Sequence, residues 1–328
     1  MTSRRRIVST LGTAAISAPF ACITWAQGKI PRIGFLISES LPAQASRIDA
    51  LQSGLRDLGY VEGKSVTIEV RSADGNYDRL PGLATELVRS RVDALVAFGA
   101  KAALAARAVT TTVPIVVPSF SYLVELGLAS SLSRPGGNVT GLSLLAQELV
   151  AKRLELLKET APRISRVAAL LNPAQAAGTR ITLQKMRSAA KLLRMELQPL
   201  EVRAPDEITA AFTAIANRRI DAVVVQLDTL FAANAREIAR LALQHRLPAV
   251  GNKDFADAGG LIGYGANVEQ LYRRAAVFLD KILKGAKPGD LPIEQPTRFE
   301  LVINMKTAKA LDLKVPQSIL LRATEVIE

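Results

Sequence analysis

From residue 32 onward, short β-branched or apolar runs alternate with longer stretches whose apolar residues recur at helical spacing. The runs predict strands at 32–37, 65–71, 93–98, 114–118 and 138–142, and between them the periodicity predicts helices over 43–58, 77–90 and 100–109. A second series opens with a helix over 147–159. It continues as strand 166–172, helix 178–193, strand 196–201, helix 205–217, strand 221–226, helix 230–245 and strands 248–251 and 261–264. The pattern then resumes with a helix over 267–283, a break over 284–292, a strand over 297–304 and a short helix over 306–311. Alternation of this kind predicts an α/β fold with parallel sheets covered on both faces by helices. Two series of similar size predict two doubly wound lobes, joined near the turn-rich residues 134–138. The late elements are too few for a third domain, so they are expected to complete the two lobes. The chain then crosses between lobes more than once, and a hinged cleft is the natural product.

Ligands of open parallel sheets bind beyond the carboxyl ends of the strands, where helix N-termini present free N–H groups. The strand ends here carry Ser38 and Glu39, then Gly99, Ala100 and Lys101, then Ser119, Phe120 and Ser121, then Asn172, Asp228, and finally Gly251 and Asn252. These are the candidate ligand-binding residues. Ser38, Ser119, Ser121 and the N–H groups around Gly99–Lys101 are candidate donors, and Phe120, Tyr122 and Tyr264 are candidates to line an apolar slot. Each small polar residue is equally a turn or capping residue. Asp228, just before a predicted helix, has both an N-cap reading and a ligand reading.

The first 26 residues begin MTSRRR, run through a mildly apolar stretch and reach Thr24-Trp25-Ala26, with small residues at the −3 and −1 positions of a signal-peptidase cut. They predict a signal peptide cleaved near Ala26 and a periplasmic protein. The Arg4-Arg5-Arg6 run leaves twin-arginine and Sec export both open. The chain of 328 residues is 49% apolar, which excludes disorder as its main state, and carries 42 basic against 30 acidic residues. That excess is scattered and not interleaved with aromatic residues, so no nucleic-acid partner is expected. Cys22, the single cysteine, falls in the export segment, and His245 is the single histidine. Disulfides, thiol nucleophiles and histidine-built zinc sites are thereby excluded from the mature protein. The glycines around Lys64 miss the phosphate-loop spacing, Gly263 and Gly265 lack the third small residue of a dinucleotide fingerprint, and no Gly-x-Ser-x-Gly elbow occurs. His245 reads as a helix-end or surface residue. No catalytic residues, metal or cofactor are expected.

Five phrases in order, 51–64 (LQSGLRDLGYVEGK), 133–141 (SRPGGNVTG), 152–158 (KRLELLK), 258–265 (AGGLIGYG) and 299–309 (FELVINMKTAK), resemble one family. It is the ABC-transporter substrate-binding family that includes tryptophan and aromatic amino-acid binding proteins, with a type I periplasmic-binding fold. The resemblance covers residues 30–328. It implies lobe one from 29–141 plus 266–296 and lobe two from 142–265 plus 297–328, with Tyr264 near the crossing. It further implies a monomer that captures a small molecule, an amino acid or related small carboxylate, and hands it to a membrane permease. A ligand-sensing regulatory or chemosensory receptor is the alternative, and an exported α/β hydrolase a weaker one that would have to use His245. The departures from the family fall on the ligand loops. Ser121-Tyr122-Leu123 replaces a usual Gly-Asp-Pro, Lys101 replaces a usual proline, and residues 251–254 replace an aromatic-rich segment. A lost acid and a gained base predict a ligand more anionic, or less amine-like, than a typical amino acid.

Overall fold

The computed structural model describes residues 29–144 and 146–328. The expected signal peptide, with Cys22 in it, lies outside the described residues. The first sheet contains β1 (Arg32–Ile37), β2 (Thr67–Ser72), β3 (Ala94–Phe98), β4 (Ile115–Val117) and β5 (Val139–Gly141). They lie in the order β2-β1-β3-β4-β5, and every pairing is parallel. β3 is buried along its whole length, which explains why its sequence is a continuous apolar run rather than an alternation.

The second sheet holds β6 (Arg166–Leu171), β7 (Glu196–Glu201), β8 (Ala222–Val225), β9 (Ala249–Gly251), β10 (Ile262–Gly265), β11 (Glu300–Asn304) and β12 (Glu325–Ile327). Their order is β12-β11-β10-β9-β8-β6-β7. One pairing departs from the parallel expectation: β11 runs antiparallel to β10, with Gly263 opposite Val302. Hydrophobic periodicity marks a strand but carries no direction, and the reversal follows from the path of the chain between the two strands.

That path goes back to the first sheet. Helix Val268–Leu283 lies against helix Leu41–Asp57, and its Tyr272, Ala275, Phe278 and Leu279 share a core with Ile33, Phe35 and Ile37 of β1. Phe98 links the two, with ring centroids 5.4 Å from Phe35 and 5.0 Å from Tyr272. Burying each such ring contributes ~2–3 kcal/mol. The helices meet at Gly54, where a Cβ atom would stand 2.3 Å from the Arg273 carbonyl oxygen. Only glycine permits this approach.

The periodicity at 230–245 resolves into two helices, Thr229–Ala233 and Ala235–Gln244, broken at Asn234, whose amide donates to the Leu230 carbonyl. Helices Lys253–Asp257 and Gln317–Leu320 and strand β12 have no counterpart in the sequence expectation. His245 ends helix Ala235–Gln244 and stacks on Phe212, 6.0 Å between centroids.

Candidate functional site

The carboxyl ends of the two sheets face one another across a cleft. Its space, open solvent at the mouth included, is about 730 Å³. The sequence places three kinds of wall there. Residues 119–122 follow β4 and bring Ser119, Phe120, Ser121 and Tyr122 to one side, with the Phe120 and Tyr122 rings edge to face at 6.0 Å. Leu227 and Asp228, beyond β8, form the opposite side. Val268 and Tyr272 close the floor from the helix that returns to the first sheet.

A polar recess continues from this cleft. Ser38 and Glu39 beyond β1, Gly99 to Lys101 at the start of helix Ala100–Val109, Asn172 beyond β6, and Asp228 all line it. That helix has no acidic residue in its first turn and no side-chain cap, so its leading N–H groups remain suited to an anion. Asp228 does cap a helix: its Oδ1 accepts from the Leu230 N–H at 2.9 Å and also from Asn172 Nδ2 at 2.8 Å. Burial raises the Asp228 carboxyl above its ordinary value, against those hydrogen bonds and the field of Lys101. Burial likewise pushes the Tyr77 hydroxyl up to about 12, with the neighbouring Glu39 charge adding to it.

The lobes are closed on each other. The Tyr122 hydroxyl, from the first, pairs with Thr182 of the second. Arg47 Nη2 reaches Asp254 Oδ2 at 3.4 Å, and Thr229 and Glu39 line the same recess from opposite lobes. Gly178 lies beneath the Tyr122 ring, which leaves no room for a side chain there.

Of the residues singled out from sequence, Gly99, Ala100, Ser119, Phe120, Ser121, Tyr122 and Asp228 line the cleft. Ser38, Glu39, Lys101 and Asn172 line its recess. Gly251, Asn252 and Tyr264 are not brought to these walls. Phe255 packs over Gly251, and Asn252 begins helix Lys253–Asp257. Tyr264 turns its ring to Phe299, 6.2 Å away, while its carbonyl accepts from buried Arg153 at 2.8 Å. Burial lowers that guanidinium to about 10. Gln44 and Arg47 line the cleft without having been expected there. Their spacing of three residues puts them on one face of helix Leu41–Asp57, and the only signal was a polar pair on a face otherwise continued by Leu51 and Leu55.

A family model described as ABC transporter substrate binding protein matches residues 33–327. A tyrosine-binding protein of Clostridioides difficile is 26% identical over 261 residues, covering 79% of this chain and 74% of that protein. Among solved structures, a conserved domain protein from Vibrio cholerae superposes with a TM-score of 0.85 at 27% identity, covering 91% of this chain and all of that one. An ABC domain in complex with L-Trp from Streptococcus pneumonia gives 0.83 at 25% identity, over 90% of this chain and 99% of that one. With nearly every described element inside the matched span and a cleft between two α/β lobes, the chain belongs to the ABC transporter substrate-binding protein family.

Proposed function

We propose that this substrate-binding protein captures an amino acid or a related small carboxylate with an apolar, preferably aromatic, body. The observation that carries the reading is the division of one cleft into a polar recess and an aromatic wall. In the recess, the free N–H groups of helix Ala100–Val109 and Lys101 face Asp228. Beyond it, Phe120, Tyr122 and Leu227 offer a slot for an apolar group. A ligand with a charged head and a ring satisfies both at once. The relatives whose names mention tyrosine and L-Trp support the same class. In this reading residues 1–26 direct the chain to the periplasm and are cleaved near Ala26. The protein then works as a monomer, without cofactor or catalysis, and delivers its ligand to a membrane permease. Lobe one is formed by 29–141 with 266–296 and lobe two by 142–265 with 297–328, a division supported by the return of helix Val268–Leu283 to the first sheet.

A thermal-shift screen of amino acids, aromatic carboxylates, nucleosides and sugars tests the proposal. The melting temperature should rise with the first two classes, since a ligand that binds only the folded state stabilises it by mass action. A rise confined to sugars or nucleosides, on protein first freed of retained ligand, sinks the reading. With a ligand in hand, Asp228→Asn is expected to weaken binding by ~2 kcal/mol, the cost of spoiling a charge-assisted buried hydrogen bond. The fold should be unchanged, because asparagine caps the helix about as well. Equal calorimetric affinities would remove Asp228 from the ligand contacts.

A further inference from the structure

Along the chain the basic excess is scattered, but folding gathers part of it on one face of the second lobe. Between Glu159 and Glu196 the chain has seven basic residues and no acidic one. Five of them, Arg180, Lys185, Arg187, Lys191 and Arg194, fall on helix Ala176–Leu192 or just past its end, and all five are exposed. Met186, Ala189 and Ala190 bury the other side of this helix in the core over the second sheet. Helical spacing sorts the exposed side into two stripes. Arg180, Gln184, Arg187 and Lys191 recur at intervals of four, three and four, a row about 16 Å long. Beside it run Ile181, Lys185, Ser188 and Leu192, which with Ala151 of helix Ala146–Thr160 line an open groove. Leu192 is 85% exposed, with Lys191 before it and Arg194 two residues after.

The protein itself does not neutralise the row. Among the described residues, the side chains of Arg180, Arg187, Lys191 and Arg194 have no ion pair or hydrogen bond. Glu155 of the neighbouring helix pairs with Lys152 at 2.9 Å, and Glu196 of β7 pairs with Arg166 at 3.4 Å. The helix dipole favours Lys191, in the last turn, but not Arg180, in the N-terminal half. Arg187 and Lys191, four apart, repel each other. We propose that this face docks on a membrane surface bearing anionic phospholipids, with the cationic row over the phosphates and Leu192 entering the interface. Long side chains that no hydrogen bond holds can follow mobile headgroups spread in a plane. Their methylene stems and the leucine meet the acyl boundary while the charged heads stay with phosphate. An acidic protein segment would satisfy the row, but it would also need an apolar edge to cover Leu192. Tyr122 makes its closing contact with Gly178 and Thr182, on another face of the same helix, so docking and closure do not compete. For a carrier that serves a membrane permease, docking confines the search to two dimensions. Neither the row nor the leucine lines the ligand cleft, so the docking face and the ligand class stand or fall separately.

Co-sedimentation of the mature chain, residues 27–328, with sucrose-loaded vesicles is the test. Phosphatidylcholine vesicles containing about a third phosphatidylglycerol should pull down the chain, and vesicles of phosphatidylcholine alone should not. Binding should weaken at least about tenfold between about 50 and about 300 mM salt. Neutralising the row by Arg180→Gln, Arg187→Gln and Lys191→Gln together is expected to cost at least about thirtyfold. Removing equal charge from exposed positions on other elements, by Arg56→Gln, Arg218→Gln and Arg236→Gln, should cost less than about threefold. Leu192→Ser should cost about fivefold at unchanged charge. Equal losses from the two triple variants would mean that net charge and not this face governs binding, and no preference for phosphatidylglycerol would remove the membrane altogether; either overturns the proposal. So does binding to a poly-glutamate peptide without binding to vesicles, which would give the face to an acidic protein. Melting temperatures report whether each variant folds. If the row variant does not, Arg187→Gln alone is expected to cost about fivefold, against no more than about twofold for Arg218→Gln.

Discussion

Gly54→Ala should lower the unfolding free energy by about 3 kcal/mol, the upper end of what overpacking a close helix contact costs. The added Cβ meets the Arg273 carbonyl oxygen at 2.3 Å and the Ala276 Cβ at 2.9 Å. Both belong to helix Val268–Leu283, so neither can rotate aside. Alanine's better helix propensity returns no more than ~1 kcal/mol of the loss. Urea titration of wild type and variant reads the difference as a lower midpoint at unchanged slope. An unchanged midpoint would mean that the two helices are not in contact at this glycine.

A second large effect concerns closure rather than stability. Gly178→Val places a Cβ 2.8 Å from the Tyr122 ring, a contact made only across the cleft. The unliganded protein can escape the clash by keeping its lobes apart, so its melting temperature should stay near the wild-type value. The ligand cannot, because its affinity comes from touching both lobes. Affinity is expected to fall about 100-fold, equivalent to ~2.8 kcal/mol. In a Tyr122→Ala background the same substitution should cost less than about tenfold, since the ring it strikes is gone. Calorimetry with whichever ligand the thermal-shift screen identifies measures both, and wild-type affinity in Gly178→Val would remove Tyr122 from the closing contacts.

Neither glycine stands out in the sequence, because the close approach at each is made by residues distant in the chain: Arg273 and Ala276 at Gly54, and Tyr122 at Gly178. The βα alternation fixed most strands because buried parallel strands need continuous apolar runs, and Ala94–Phe98 can be little else. The Glu325–Ile327 strand escaped because it is three residues at an exposed sheet edge, held by its pairing with Val302, Ile303 and Asn304. In the site, the strand-end rule reached Ser38, Lys101, Ser119 and Asp228. It could not separate these from Asn252, because every strand end looks alike until the lobes close. Arg47 illustrates the converse. A basic residue on an amphipathic helix reads as solvated, and only the approach of Asp254 from the other lobe turns it inward. The facing of Glu39 and Asp228, 189 positions apart in the chain, is a tertiary fact with no local trace.

The return of helix Val268–Leu283 also orders events during synthesis. All five strands of the first sheet have been made once the ribosome has passed Gly141, yet Ile33, Phe35, Ile37 and Leu51 share a core with Phe278 and Leu279, which do not yet exist. At ordinary elongation speeds the wait is roughly 10–30 s. Throughout that interval the nascent chain exposes a broad apolar face, a ready target for a holding chaperone. An export machinery that accepts unfolded cargo can engage it then. One that demands folded cargo must wait until β11 and β12 have been added and the whole polypeptide is released.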